Sequence, residues 1–330
     1  MFKAFRWLLS GIRTLCLILL LGWGTLAIYY NLPWEDMRLA AALIFLIFGI
    51  WTLWYSRTPR TITAFAALFL VVLVLFSSIK PSHDRPWRPE VAVMPRAIVD
   101  GDRVRITGVR NFDYRSRDDF TVRYEEREVS VSHLTSLDFY LSYWTPGPIA
   151  HTFVSFGFDN APPISISIEA RPEIGEVFSP IPSLFKQLEL IYVVGDERDL
   201  VRVRTNYRKE DVFLYRIRIS PEFARRLFLI YLERIDELAD RPEFYHLFSN
   251  NCTINIVRYA NLAGRVGRFD IRHLLPGLAD RYLYSAGALD TTLPFAELRR
   301  RSHINEAAQA AGNAGDFSER IRKLLPTIPR

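Results

Sequence analysis

The chain is poorly provided with the residues that build disulfides, metal centres or phosphate loops. Its 330 residues hold two cysteines. Cys16 lies inside an apolar run and Cys252 far away in a polar stretch, so the two do not form a disulfide framework. Cys16 is also a poor lipid-attachment residue, because it follows Leu15 rather than a small residue and leads into more leucines. No Cys-x-x-Cys or His-Glu-x-x-His spacing occurs, nor a glycine-rich phosphate loop, so neither metal nor cofactor is expected. Lys and Arg total 42 against 36 Asp and Glu, a formal net charge of +6. No nucleic-acid motif accompanies this excess, which points to anionic lipid headgroups and not to nucleic acid as the partner.

Charge is scarce over the first 79 residues. Three apolar runs, about Leu15 to Tyr30, Leu39 to Tyr55 and Ile62 to Ile79, each approach the roughly 20 residues that a membrane-spanning helix needs. A signal peptide would account for the first run only. Lys3, Arg6 and Arg13 precede the first run and Arg57 and Arg60 precede the third, while the intervening link carries only Arg38 with Glu35 and Asp36. The positive-inside rule then places the N-terminus in the cytoplasm and the C-terminal part in the periplasm of a bacterial inner membrane. Lys80, Arg85 and Arg88 after the third run weaken that bias.

Residues 80–110 read as a linker, rich in proline at Pro81, Pro86, Pro89 and Pro95, with a first strand at Arg103 to Val109. Residues 111–290 form the main domain and 291–330 a peripheral tail. Alternating or β-branched runs predict strands over Phe120 to Val131, His133 to Tyr143, His151 to Phe158, Ile164 to Ala170, Leu200 to Thr205 and Val212 to Ile219. Ser220-Pro221-Glu222 predicts a capped helix running to about Leu238, and Asn250 to Leu262 a second. The class is α+β behind three membrane helices.

Cys252 stands in Ser249-Asn250-Asn251-Cys252-Thr253, where that second helix starts. Free N–H groups and the dipole at a helix N-terminus favour a thiolate, the nucleophilic form. A free cysteine is also among the most buried residue types, so plain packing is the competing account. A thiol nucleophile needs a base. His133 and His273 lie in polar contexts and His246 is only six residues from Cys252. His151 opens an apolar strand and can be held rigidly toward a facing helix. Glu169, near the end of the expected neighbouring strand, would accept the imidazole N–H.

The order of a strand starting with His, a next strand ending in a polar residue, then Asn-Cys at a helix start, resembles the circularly permuted NlpC-type papain-like fold shared by lecithin:retinol acyltransferase. A closer resemblance is to the periplasmic domain of the Lnb-type lipoprotein N-acyltransferases. It rests on Ser142-Tyr143-Trp144, His151-Thr152-Phe153, Ile168-Glu169-Ala170-Arg171-Pro172-Glu173 and Asn251-Cys252-Thr253. The stretch from Phe185 to Thr205, with Glu189, Tyr192, Arg204 and Thr205, adds to it, and the resemblance covers about Asp113 to Leu275. In proteins named for that domain it tends to come first, with membrane helices after it; here the helices precede it.

The resemblance implies a papain-like domain with an antiparallel sheet packed on helices. It implies that His151 deprotonates Cys252, which takes an acyl chain from a membrane phospholipid as a thioester and passes it to an amine, such as a lipoprotein N-terminus. Backbone N–H groups at the helix start, with Asn250 or Asn251, would hold the oxyanion. Tyr143, Trp144 and Arg171 would line the lipid entrance or serve as ordinary packing. The competing functions are a cysteine peptidase or amidase acting on the cell wall, and a membrane-anchored binding module with an inert cysteine.

Overall fold

Leucine, isoleucine, phenylalanine and alanine fill α1 (Phe2–Asn31), α2 (Glu35–Ile50) and α3 (Pro59–Ser78). The computed structural model describes residues 2–265 and 270–326. Three helical stretches, Phe5–Asn31, Glu35–Ser56 and Pro59–Ser78, are long and apolar enough to cross a membrane, with mean hydropathies of 1.8, 1.9 and 2.4. The second of these includes a π-helical turn, Trp51–Ser56, that closes at Arg57 with φ 49°. Thr58 then caps α3 by accepting from the Thr61 N–H, and Pro59 occupies the first turn, where its missing N–H costs nothing. Small residues let the helices approach closely: a Cβ on Gly49 would meet Leu21 and Phe65.

These helices belong to a unit made of Met1–Pro81 and Ser179–Leu188. The later segment lies a hundred residues from the membrane runs, so a sequence boundary at residue 79 misses it. Phe185 stacks on Tyr30 with centroids 5.4 Å apart. Lys186 Nζ donates to the carbonyls of Phe76 and Ile79 at 2.9 and 3.1 Å, satisfying the end of α3, and Gln187 donates to Asn31 Oδ1 at 2.9 Å.

The second unit comprises Ser82–Phe178 and Glu189–Arg330. Its strands are β1 (Arg96–Asp100), β2 (Arg103–Arg110), β3 (Asp113–Tyr114), β4 (Phe120–Thr121), β5 (Tyr124–Ser130), β6 (Leu134–Tyr143), β7 (His151–Phe158), β8 (Ile164–Arg171), β9 (Glu189–Gly195) and β10 (Asp211–Arg216). Eight of them form one sheet in the order β1-β2-β9-β8-β7-β6-β10, with β5 also on β2, while β3 and β4 form a separate hairpin. The sheet is mixed and not purely antiparallel, because β2 meets β9 in parallel at Arg110 and Gly195. With α4 (Glu197–Arg202), α5 (Pro221–Asp240) and α6 (Cys252–Leu262), the unit is α+β.

Alternation along β7 divides its side chains between two faces. Phe156 meets Phe228 of α5 at 4.9 Å, and Thr152 Oγ1 lies 3.0 Å from Thr253 Oγ1 of α6. On the other face Phe153 stacks on Tyr140 at 4.4 Å, in a buried cluster with Val201, Leu214, Ala308, Phe317 and Ile321. The last three residues come from the stretch expected to be a peripheral tail. It supplies core instead: short helices at Asn305–Ala311 and Phe317–Arg320 put Ala308 and Phe317 fully out of solvent.

Two strand assignments change. Leu200 to Thr205 is helical, not extended. Asp196 accepts from the Arg198 N–H at 2.8 Å and caps α4, which continues as a π-helical turn, Val203–Arg208, ending at Lys209 with φ 57°. Leu200, Val201 and Val203 are all fully buried, so a helix wrapped in protein carries the apolar, β-branched run of a strand. Conversely, β9 is a buried central strand that lacks any alternation to announce it.

Candidate active site at Cys252

Asn251 decides where α6 begins. Its Oδ1 accepts from the Ile254 N–H at 2.9 Å and its carbonyl from the Asn255 N–H at 3.1 Å. Cys252 is therefore the first helical residue, and the N–H groups of Cys252 and Thr253 have no acceptor within the helix. The two asparagine side chains do not face the thiol. Asn250 donates to Glu243 Oε2 and the Phe244 carbonyl at 2.9 and 3.0 Å and accepts from Asn255 at 2.9 Å, while Asn251 Nδ2 donates to the Leu247 carbonyl. They brace the turn before the helix, so an oxyanion there would be held by backbone.

His151 is the first residue of β7 and pairs with Ser142 of β6. The Thr152–Thr253 contact joins β7 to α6 one residue beyond His151 and one beyond Cys252. That clasp brings imidazole and thiol together although 101 positions separate the clasping residues. Burial pushes the Cys252 thiol up, but the charge and hydrogen bond of His151, with further hydrogen bonds from Thr152, outweigh it and bring the thiol down to about 6. Cys252 is only 4% exposed.

The third group differs from expectation. β8 does neighbour β7, with Phe153 opposite Ser167, but Glu169 Oε1 lies 3.8 Å from His151 Nε2. Ser167 stands between them: its Oγ is 2.7 Å from Nε2 and donates to Glu169 Oε1 at 2.8 Å. Because its O–H donates to the carboxylate, Ser167 Oγ accepts from Nε2–H. Neutral His151 is thereby fixed as the tautomer whose Nδ1 lone pair is available to the thiol. Arg204 donates to the same Glu169 oxygen at 2.8 Å. Burial raises the Glu169 carboxyl, but Arg204 first, then His151 and Arg110, hold it well below the usual carboxylate range.

Ser167 was missed in the sequence and Arg204 entered there only through the family resemblance. The period-two run Ser165, Ser167, Glu169 was the available signal for the serine. A cleft of about 400 Å³ opens at His151 and Glu169, edged by Arg117, Trp144, Phe178, Arg204 and Arg208. Of the three expected lining residues only Trp144, half exposed, borders this cleft. Tyr143 donates to the Gly277 carbonyl at 2.6 Å and packs edge-on against Phe213. Arg171 is buried, donates to the carbonyls of Val91 and Ala92 at 2.8 Å each, and lies 4.2 Å over Trp87, so it is structural. Among the described residues no group of three His, Cys, Asp or Glu side chains is arranged to hold a metal ion.

Residues 120–277 match the family model of the Lnb N-terminal periplasmic domain. The matched segment contains His151, Ser167, Glu169, Arg204 and Cys252, so the resemblance carried by their motifs holds over this part of the chain. Neither a curated protein nor a solved structure matches the chain. A periplasmic domain thus follows three helices able to span a membrane.

Proposed function

We propose that the protein is a membrane-anchored thiol acyltransferase. It would move a phospholipid acyl chain through a Cys252 thioester to an amine, of which a lipoprotein N-terminus is the leading candidate. The observation that carries this reading is a buried thiol opening α6, clasped through Thr253 and Thr152 to the strand of His151, whose Nε2 is held by Ser167; the imidazole lowers the thiol against the effect of burial. A nucleophile of that kind attacks an ester carbonyl without a metal.

In the first half-reaction the Cys252 sulfur bonds to the ester carbonyl carbon, and the negative oxygen sits against the N–H groups of Cys252 and Thr253. The C–O bond then breaks, and the imidazolium of His151 returns its proton to the departing lysophospholipid oxygen. In the second half-reaction the amine attacks the thioester, the C–S bond breaks, and an amide and the Cys252 thiolate result. The amine proton goes to His151. A papain-like arrangement of His-bearing strand and Cys-bearing helix and an N-terminus on the cytoplasmic side belong to the same reading.

The test is intact mass of the full chain in detergent after incubation with phospholipid. A fatty-acyl increment on Cys252, lost on hydroxylamine treatment, is the expected result. Absence of the increment together with cleavage of cell-wall peptides would favour an amidase. Retained cellular function after Cys252→Ala would favour a binding module.

A further inference from the structure

Two arginines at the mouth of the cleft at His151 and Glu169 have no part in the chemistry above, and we infer that Arg117 and Arg208 form a subsite for the phosphate of the phospholipid donor. This rests on the acyl-transfer reading and deepens it by naming what holds the donor's headgroup.

The cleft holds three guanidinium groups, Arg117, Arg204 and Arg208, against two carboxylates, Glu169 and Glu210. Arg204 is committed to Glu169 at 2.8 Å. Glu210 already accepts from Ser142 at 2.5 Å, and Arg204 and Arg208 each reach it only at 3.9 Å. Among the described residues Arg117 has no carboxylate within ion-pair distance, in contrast to its neighbour Arg115, whose Nε donates to Asp119 Oδ2 at 2.9 Å. The cleft therefore presents more positive charge than its own carboxylates neutralise. Burial, and then the like charge of Arg204, disfavours the cationic form of Arg208, a penalty that a bound anion would relieve.

The two arginines are held by parts that are themselves locked together. Arg208 ends the π-helical turn Val203–Arg208, a rare backbone form concentrated at functional sites. Arg117 sits in the turn of the β3–β4 hairpin. Tyr207 of the π turn donates to the Tyr114 carbonyl of that hairpin at 2.5 Å, Arg202 donates to Asp113 at 3.0 Å, and Phe112 stacks on Phe120 at 5.4 Å. Arg115 also donates to Thr121 at 2.9 Å and closes the turn. Two cations set in advance on one rim suit a phosphate, which guanidinium groups bind through paired N–H bonds. Trp144 and Phe178 on the same rim offer apolar surface to the glycerol and first methylenes.

The experiment separates headgroup binding from acyl transfer by using a dialkyl ether phosphatidylglycerol, which has no ester to cleave. Full-length protein in detergent is alkylated at Cys252 with iodoacetamide, with and without this lipid, with dialkylglycerol of the same chains, or with inorganic phosphate. Protection is taken relative to each variant's own lipid-free rate. We expect the phosphate-bearing ether lipid to protect at roughly tenfold lower concentration than dialkylglycerol. Arg117→Gln and Arg208→Gln should each reduce that advantage, and the pair should abolish it. Protection by inorganic phosphate would mean that the subsite takes the ion from either source, and its absence that the subsite reads phosphate only within a lipid. Equal protection by the two ether lipids, or an advantage that survives in the double variant, overturns the subsite. Failure of the ester lipid to acylate Cys252, with ether-lipid protection intact, would instead overturn acyl transfer and leave the subsite standing.

Discussion

Ser167 Oγ sits between His151 Nε2 at 2.7 Å and Glu169 Oε1 at 2.8 Å, so the carboxylate reaches the imidazole through a hydroxyl rather than by direct contact. The serine is a positioning residue: its O–H donates to the anion and its oxygen accepts from the ring N–H. Ser167→Ala removes this hydrogen bond and leaves Nε2 without a fixed partner. The expected cost is about 1.5 kcal/mol, roughly tenfold in the rate of Cys252 acylation. A merely structural serine would lower the amount of folded protein and leave the thiol's pH profile in place. Here the profile of iodoacetamide alkylation should shift to higher pH.

The thiol itself should titrate early. Deprotonation creates the reactive form, so alkylation of Cys252 rises with pH, with a midpoint near the value of about 6 set by burial against His151 and Thr152. His151→Gln removes the opposing charge and leaves burial unbalanced, so the midpoint should move past the ordinary thiol value of about 8.5. An unchanged midpoint in that variant would mean that the imidazole does not ionise the sulfur.

Cys252→Ser should abolish the hydroxylamine-labile acyl mass and lower acyl transfer by about a thousandfold or more. His151→Gln should lower it by about a hundredfold to ten-thousandfold. Each comparison should be made at equal folded protein, checked by proteolytic resistance. Wild-type rates in both variants would remove the pair from the chemistry.

Arg322 should be essential to stability. It donates to Asp138 Oδ2 at 2.8 Å and Glu197 Oε1 at 2.5 Å, both fully buried. Burial would raise Glu197, but the charge and hydrogen bond of Arg322 hold it below its usual range. A carboxyl depressed in the folded state contributes stability above its unfolded pKa and loses it as pH falls through the folded value. Arg322→Met strands Glu197, while Asp138 keeps Arg216 at 2.5 Å, at a cost of about 3–5 kcal/mol near neutral pH. The deficit should shrink on acidification, as the stranded Glu197 takes up a proton. Thermal unfolding in detergent at neutral and acidic pH measures both effects.

What was legible in the sequence were features written in consecutive residues. Those features are a lone thiol at a capped helix start, an apolar strand opened by His151, and the short turn that makes β7 and β8 neighbours. Ser167 was not legible because its role depends on register. With Phe153 opposite Ser167, the serine falls diagonal to His151, and a slip of one residue would turn it to the other face. Arg204 was hidden by a buried helix that reads as a strand. The small residues Ala308 and Ala311 look like low-complexity sequence, yet they lie buried in the cluster around Tyr140 and Phe153, where small side chains permit close packing.

The path of the chain also governs how the thiol domain is retained. It leaves the helical unit after Pro81, re-enters it at Ser179 and departs again after Leu188. A single protease nick among the prolines of residues 82–95 would therefore not release the domain from the lipid-embedded part. The fragment bearing Cys252 would keep Phe185 stacked on Tyr30 and Lys186 on the last carbonyls of α3, and would sediment with the bilayer.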